Sequence, residues 1–271
     1  MGVKLAALAA ALAVAAGPSD FLFAHQTTSG AFAESNGSSG PLLTAWAALG
    51  LHAAGFGTGG ALQYLSTHEG MLSEVTDVEL VALAQSVLGR HPSRLLVRIH
   101  AAQHANGRIG PTVNSTVWGI LALRQAGERA PRAAVRFVLR QQARSGGWAW
   151  YLHGQPDSND TAAAIMALRV AGVPCSWKAV NHGYDFLHSL QRSDNGYALY
   201  PSSGSDSQST SWVIQARIKC GLPNTGALAY LAARQLPSGA FNYQAGRTIT
   251  PAWVTAQVLP ATNGRSYPIR P

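Results

Sequence analysis

A phrase of about a dozen residues recurs along this sequence, and its spacing constrains the fold more than any other feature. In the clearest copy the apolar pair Phe137-Val138 is followed by Gln142, then by Gly146 and Trp148. The turn glycines of the six copies are Gly30, Gly70, Gly107, Gly146, Gly196 and Gly239. Consecutive glycines are about 40 residues apart, which is the period of stacked helical units.

A second phrase lies between these turns and keeps step with them. It consists of a Thr, an apolar run and a closing Gly, as from Thr116 to Gly127, where the Gly lies 11 residues after the Thr. A Thr at a helix start can satisfy free N–H groups, and a Gly just past the end supplies the left-handed residue that stops the helix. The run is apolar on nearly every side, so the phrase predicts a buried helix.

Each buried helix is preceded by a helix with Arg on one face, such as Arg136 and Arg140, as is typical of a half-solvated helix. Six such pairs predict an all-α fold, an α/α toroid (α6/α6 barrel) of six helix hairpins with twelve main helices in two concentric rings. An open solenoid is the alternative, but no polar capping repeat is visible at either end. The toroid is expected over residues 17–265 as one domain, with a C-terminal tail over 266–271.

Aromatic residues and glutamines mark the turns. We expect the aromatic two residues after the Gly to plug the gap between outer helices, and the Gln to bond the backbone N–H groups of the turn. Further aromatics are surplus to this role and lead into the buried helices. We predict that they line the mouth of a central cavity and, with two tryptophans of buried helices, bind its ligand: Trp150, Tyr151, Tyr200, Tyr243, Trp118 and Trp212.

The first 16 residues have one Lys followed by a run of Ala, Leu and Val, with Ala-x-Ala cleavage options before Gly17. This pattern predicts a signal peptide over 1–16 and a secreted or cell-surface protein, with an extra Ala-rich helix as the alternative. The run is too short for a membrane span of about 20 residues, and no other stretch is a candidate for one.

Two cysteines, Cys175 and Cys220, lie where two consecutive buried helices end. A disulfide between them would join neighbouring repeats, which suits an exported protein. Their Cα atoms should then be less than about 7 Å apart. A pair of buried free thiols is the alternative. No metal-ligand spacing accompanies the cysteines, so neither a metal nor a cofactor is predicted.

The formal net charge is +8, and such a balance can indicate an anionic partner. The arginines are spread over the repeats and do not form one stripe with interleaved aromatics. We therefore expect a basic, solvated exterior, no nucleic-acid partner and a monomeric chain.

The phrase F-L-x-x-x-Q-x-x-x-G-x-W resembles the repeat shared by squalene–hopene cyclases and protein prenyltransferase β subunits. The copy over residues 132–148 follows it closely, and the resemblance covers all six repeats. It implies an α/α toroid whose central cavity takes a hydrophobic, isoprenoid-type small molecule. The cyclases that the chain resembles place their active site between two toroids, whereas this chain has one.

Within this resemblance, residues 157–162 read D-S-N-D-T-A and are similar to the D-x-D-D-T-A acid motif of terpene cyclases. The middle Asp of that motif protonates an alkene or epoxide. Asn159 stands at this position and cannot serve as the acid, so Asp160 and Asp157 are the candidate catalytic residues of an isomerase or lyase of terpene-cyclase type. We expect no appreciable cyclisation of squalene or a linear prenyl diphosphate unless Asp160 has taken over the role.

Other interpretations remain open. The next repeat has the same frame in residues 206–210, D-S-Q-S-T, so Asp157 and Asp206 are alternatively helix caps. A carbohydrate-active or carbohydrate-binding toroid would use paired carboxylates at the buried-helix starts. Its candidate acids are Glu74, Asp77, Glu79, Asp157, Asp160 and Asp206. A secreted scaffold without a small ligand is the remaining alternative.

Overall fold

The computed structural model describes residues 16–269, in which it has twelve α-helices, one 3₁₀ turn and one two-stranded pair. Six helices form an inner ring: α2 (Pro41–Ala53), α4 (Val75–Val87), α6 (Val113–Gln125), α8 (Ser158–Val170), α10 (Ser207–Ile218) and α12 (Pro251–Thr262). Six lie outside it: α1 (Pro18–Ala24), α3 (Ala61–Thr67), α5 (Ser93–Ala101), α7 (Arg132–Arg140), α9 (Lys178–Ser189) and α11 (Thr225–Ala232). The 3₁₀ turn is Glu69–Met71, and β1 (Tyr197–Ala198) pairs antiparallel with β2 (Ser205–Asp206). All but the last residue of the expected signal peptide lies outside the described residues.

The inner helices form a closed ring. Each packs against the inner helix before it and the one after it, and α12 packs against α2. Each outer helix packs mainly against the inner helix that precedes it in the chain, and α1 packs against α12 in the same way. The predicted α/α toroid of two concentric rings is therefore confirmed. No helix within residues 16–269 is long and apolar enough to cross a membrane.

The two rings differ in burial as the sequence pattern predicts. In α6, eleven of the thirteen residues are buried, so this helix has no solvated face. In α7, Ala134, Phe137 and Val138 are buried, whereas Arg136 and Arg140 are exposed. An amphipathic helix of this kind is held in place by its apolar stripe against the inner ring.

A threonine inside the inner helix holds the turn that precedes it. Its Oγ1 accepts a hydrogen bond of 2.9 to 3.1 Å from the backbone N–H of the plug residue. The five pairs are Phe32–Thr44, Ile109–Thr116, Trp148–Thr161, Tyr197–Thr210 and Phe241–Thr255. These threonines are fully buried, and the plug N–H would otherwise be buried without a partner.

The prediction that these threonines cap the inner helices is therefore wrong. Thr116, Thr161 and Thr210 lie one turn inside their helices, and the residues whose side chains cap the helices are Thr112, Asp157 and Asp206. The expected plugs are buried, as Phe32, Trp148 and Phe241 show.

The turn glutamines act as donors, which corrects the expectation that they bond turn N–H groups. The Nε2 of Gln142 donates to the carbonyl oxygen of Gly146 at 2.7 Å and to that of Ala179, at the start of α9, at 2.8 Å. Gln26 likewise bonds to Gly30 and to Thr58 of the next repeat. The glutamine thus joins its own turn to the next outer helix.

The first and last repeats meet at a seam. The Glu34 carboxylate, in the loop before α2, accepts the backbone N–H groups of Ala252 (3.0 Å) and Trp253 (2.8 Å) at the start of α12. These N–H groups have no partner within the helix, and a carboxylate is favoured at a helix N-terminus. The first repeat therefore caps the last.

The segment after α12 packs back into the ring. Tyr267 and Ile269 are buried in the hydrophobic core, and the Ser266 carbonyl accepts a bond from Lys219 at the end of α10. Residues 266–269, treated as a tail in the sequence analysis, thus belong to the packed structure.

Cys175 and Cys220 form a disulfide that joins the segments after α8 and α10, and their Cα atoms are 5.8 Å apart. The predicted pairing and the predicted distance are confirmed.

The turn glycines predict a measurable difference between two Gly→Ala variants. Gly146 (φ +93°) and Gly172 (φ +96°) have the same left-handed backbone, but a Cβ on Gly146 would lie 2.3 Å from the His182 carbonyl oxygen of α9. A Cβ on Gly172 meets no atom within 4 Å. We expect Gly172→Ala to lower the free energy of unfolding by about 1–2 kcal/mol, and Gly146→Ala by a further 1–3 kcal/mol or so because of overpacking. Urea unfolding of both variants measures this, and equal losses would mean that the turn contact does not set the helix spacing.

Candidate functional site

A cavity of about 460 Å³ lies inside the inner ring, which is within the usual size range of small-molecule sites. All six inner helices line it with residues from their first two turns. The loops before α8 and α10 also reach it, through Trp150 and Tyr151 and through Leu199 and Tyr200. Trp150 and Tyr151 are 44% and 65% exposed, so the cavity opens at the end where the inner helices begin.

The helical repeat arranges the cavity wall in two layers. Residues four positions apart lie on one face of a helix, and here the second and sixth residues of each inner helix from α2 to α10 face the cavity. The upper layer contains Leu42, Thr76, Asn114, Asn159 and Gln208. The lower layer contains Trp46, Leu80, Trp118, Ala163 and Trp212. The wall is therefore mostly polar near the mouth and apolar at depth.

Three tryptophans form the floor. The rings of Trp46, Trp118 and Trp212 meet edge to face, with centroids 5.4 to 5.6 Å apart. The ring of Tyr267 lies 5.8 to 6.0 Å from each of them. Edge-to-face pairs are the preferred arrangement of aromatic rings. Tyr267 is fully buried, and its hydroxyl has no hydrogen-bond partner, so burial raises the pKa of its phenol.

Asp157 and Asp160 occupy different positions at the start of α8. Asp157 is the N-cap, and its Oδ1 accepts the backbone N–H of Asp160 at 2.8 Å. Asp160 lies one turn further and accepts a 2.6 Å bond from Asn114 Nδ2 on α6. Both carboxyls line the cavity, and both residues are about 95% buried.

Burial favours the protonated form of Asp160. Loss of solvation raises its pKa well above the usual range, and the neighbouring Asp157 charge raises it further, while the Asn114 bond acts in the opposite direction. Burial also raises the pKa of Asp157, against the effect of its hydrogen bonds with residue 160 and the backbone N–H of Asn159. Two adjacent buried carboxyls cannot both ionise easily. The proton is favoured on Asp160, because the Asp157 carboxylate is stabilised as a helix cap.

Asp206 occupies the same frame in the next repeat but does not line the cavity. As N-cap of α10 it accepts bonds from the N–H and the hydroxyl of Ser209 (2.7 and 2.8 Å). Burial nevertheless raises the pKa of Asp206 to about 6. Tyr243 is hydrogen-bonded to Asp206, and burial is the main reason that the pKa of the Tyr243 phenol is raised to about 12. Tyr243, predicted as a ligand contact, is thus placed beside this cap and outside the cavity wall.

The structure brings most of the other predicted residues together. Trp118, Trp150, Tyr151, Tyr200 and Trp212 line the cavity with the two candidate acids. Of the acids named for a carbohydrate site, Asp77 also lines it. Glu79 does not, because it is fully buried and next to Gly119 of α6, where burial raises its pKa well above the usual range. Glu74 is the N-cap of α4.

Several lining residues were not predicted from the sequence. Asn114 and Gln208 each precede the plug-bonding Thr of their repeat by two residues, so the repeat itself could have identified them. Trp253 and Gln257 lie two residues before and two residues after Thr255, so they occupy the same two positions. The last repeat thus places an aromatic residue in the upper layer and a polar one in the lower layer. Tyr267 could not be found in this way, because it lies beyond the repeats.

Neither the family models nor the curated proteins include a match to this sequence. Solved structures do match it. A protein from Actinoplanes is 18% identical with a TM-score of 0.69, over 91% of this chain and 97% of that one. The type II terpene cyclase MstE from Scytonema is 14% identical with the same TM-score, over 91% and 95% of the two chains. The chain has the terpene-cyclase toroid fold.

The ent-copalyl diphosphate synthase of Streptomyces platensis matches with a TM-score of 0.61 and 18% identity, over 83% of this chain but only 50% of that one. MstE, by contrast, is covered almost completely, so a type II terpene cyclase of about this length exists. One structure of an MstE variant holds geranylgeranyl dihydroxybenzoate, described as substrate. At sequence identities of 14 to 18%, these similarities show a shared fold and nothing further.

The raised pKa of Asp206 predicts a pH-dependent stability. Because the folded chain holds this proton more tightly than the unfolded chain, the contribution is complete below about pH 4 and is lost as the pH rises through about 6. Asn can also cap a helix but does not ionise. We expect Asp206→Asn to gain up to about 3 kcal/mol of unfolding free energy relative to wild type between pH 4 and pH 7. Urea unfolding across this range tests it, and a constant difference between the two proteins would contradict it.

Proposed function

We propose that the protein binds a hydrophobic isoprenoid in its central cavity and starts cyclisation by protonating it, with Asp160 as the acid. The observation that carries this proposal is a carboxyl group buried in the wall of an aromatic cavity, where loss of solvation raises its pKa. A general acid for an alkene needs this protonation state near neutral pH. The bound isoprenoid of MstE supports the choice of ligand class.

The proposed reaction is an isomerisation. The Asp160 carboxyl gives its proton to one alkene carbon, forming a C–H bond and leaving a carbocation on the other carbon. A second alkene of the chain attacks the cation with its π electrons and forms the ring bond. Loss of a proton from the last cation, to Asp160 or water, restores neutrality, so no external oxidant or reductant is needed.

The aromatic floor suits such a reaction. The faces of aromatic rings attract cations, most strongly in desolvated sites. Trp46, Trp118 and Trp212 line the cavity, and their rings pack edge to face with one another. A carbocation formed above them would therefore be stabilised by the aromatic floor.

Asn159 does not remove the acid function under this proposal. Its side chain lines the cavity and accepts a bond from the Ser158 hydroxyl at 3.3 Å, whereas the next residue supplies the buried acid. The acid is thus displaced by one residue relative to the motif that the sequence resembles. A carbohydrate ligand is less well supported, because the deep half of the cavity is lined mainly by tryptophan rings and aliphatic groups, with Gln257 as the polar exception.

Substitution of Asp160 tests the proposal. We expect Asp160→Asn to lower the rate of cyclic product formation from neutral polyprenyl substrates at least 100-fold, the usual lower bound for general-acid catalysis. Asp206→Asn is the matched control, since Asp206 holds the same motif position outside the cavity, and it should retain full activity. Product analysis by gas chromatography and mass spectrometry measures both.

Two further results would bear on the acid. Asp157→Asn retains a capping side chain but removes the charge that raises the pKa of Asp160, so the rate should decline at a lower pH than in wild type. Turnover by wild type that survives Asp160→Asn would eliminate Asp160 as the acid.

We also propose that the chain is exported, as its first 16 residues suggest. The Cys175–Cys220 disulfide supports this, because such bonds persist in oxidising compartments. Titration of the secreted protein under denaturing conditions should find no free thiol. Two titratable thiols would contradict both the bridge in the mature protein and the argument for export.

A further inference from the structure

The charge of the cavity wall restricts the ligand. Asp77, Asp157 and Asp160 contribute carboxyl groups, whereas the lining within residues 16–269 includes no Lys or Arg. No group of three His, Cys, Asp or Glu side chains in this part of the chain is placed to hold a metal ion. Recognition of a diphosphate relies on cationic side chains or a metal ion. A diphosphate in this cavity would instead face carboxylates at close range.

A pair of amides on α10 and α12 offers a neutral site. The Oε1 of Gln257 accepts bonds from Gln208 Nε2 (2.7 Å) and Trp212 Nε1 (3.1 Å). These two bonds fix the orientation of the Gln257 amide, which is only 2% exposed. Its Nε2 and the Oε1 of Gln208 have no partner among the described side chains, and both residues line the cavity. The two amides thus leave one donor and one acceptor for a ligand.

The position of the amides defines how a ligand would lie. Gln208 is on α10 and Gln257 on α12, and α12 is opposite α6, which carries Asn114 beside the acid. Gln257 lies at the level of the floor tryptophans and is hydrogen-bonded to one of them, Trp212, whereas Gln208 lies one turn nearer the mouth. The rest of the floor is aromatic, and burial of a polar head group against it would be unfavourable. A polar head group should therefore lie along the wall formed by α10 and α12, beside the two amides.

We infer that the ligand is a polyprenyl alcohol, whose hydroxyl accepts a hydrogen bond from Gln257 Nε2 and donates one to Gln208 Oε1. A hydroxyl has both capacities that the amide pair requires. This inference rests on the proposed function for the hydrophobic chain and adds the chemistry of its head group. The same cavity discriminates against prenyl diphosphates.

Equilibrium binding to the full chain separates the two levels of this proposal. The probes are geranylgeraniol, geranylgeranyl diphosphate and the corresponding polyene hydrocarbon without oxygen. Binding of each is measured by the quenching of tryptophan fluorescence. We expect wild type to bind the alcohol at least 10-fold more tightly than the diphosphate. Gln257→Leu should weaken alcohol binding about 3- to 10-fold, which corresponds to the loss of one neutral hydrogen bond. Hydrocarbon binding should not be weakened by this variant, because Leu adds an apolar group to the cavity wall.

Gln208→Arg provides a variant with the opposite effect. Gln208 is partly exposed, so an Arg can be accommodated there, and its guanidinium would supply the missing cation. We expect diphosphate binding to strengthen at least 10-fold in this variant, which keeps the inference testable if Gln257→Leu does not fold.

The outcomes distinguish the inference from the function on which it rests. Equal binding of alcohol and diphosphate by wild type would overturn the inference, as would equal weakening of alcohol and hydrocarbon by Gln257→Leu. Either result would leave the proposed isoprenoid site in place. Absence of binding by all three probes would remove the proposed function itself.

Discussion

The toroid depends on a hydrogen bond between a turn N–H and a threonine hydroxyl on the following inner helix. The turn must enter the interior so that its aromatic residue fills the space between helices, and this brings a backbone N–H group away from water. A buried N–H without a partner is rarely tolerated in folded proteins. Thr161 supplies the acceptor for Trp148, and four other repeats use the same solution. The bond fixes the height of these five inner helices relative to their turns, whereas α4 has Val78 at the equivalent position.

The two layers of the cavity wall follow from this hydrogen bond. From α2 to α10, the second residues of the inner helices form one layer and the sixth residues form the other. Chemistry can then be changed in one layer without altering the other: Asn114 and Gln208 are polar, whereas Trp118 and Trp212 four residues later form the floor. The acid depends on this separation, because Asp160 is close enough to the apolar layer to lose solvation while Asn114 on α6 holds its orientation.

The sequence was sufficient for the architecture and for much of the site. Spacing alone predicts the six hairpins, the buried plugs such as Trp148 and the pairing of Cys175 with Cys220. Spacing could not distinguish a helix cap from a buried acid, since Asp157 and Asp206 share a frame and only the fold shows which faces the cavity. Tyr243 was misplaced for the same reason. Tyr267 was missed because its position depends on how the segment after the last repeat packs into the ring. Gln257 follows Thr255 by two residues and was missed because the other helices have an apolar residue at this position.

The seam between the first and last repeats also has a consequence for how the chain assembles. Most contacts of the toroid join neighbouring repeats, so they can form as local pairs at small entropic cost. The bond from Glu34 to Trp253 instead links residues 219 positions apart, and α2 meets α12 across the same seam. Closing a loop of this length in a disordered chain has a high entropic cost, which is reduced when the intervening repeats are already ordered. The cavity, whose wall needs both sides of the seam, is therefore among the last parts of the molecule to be completed.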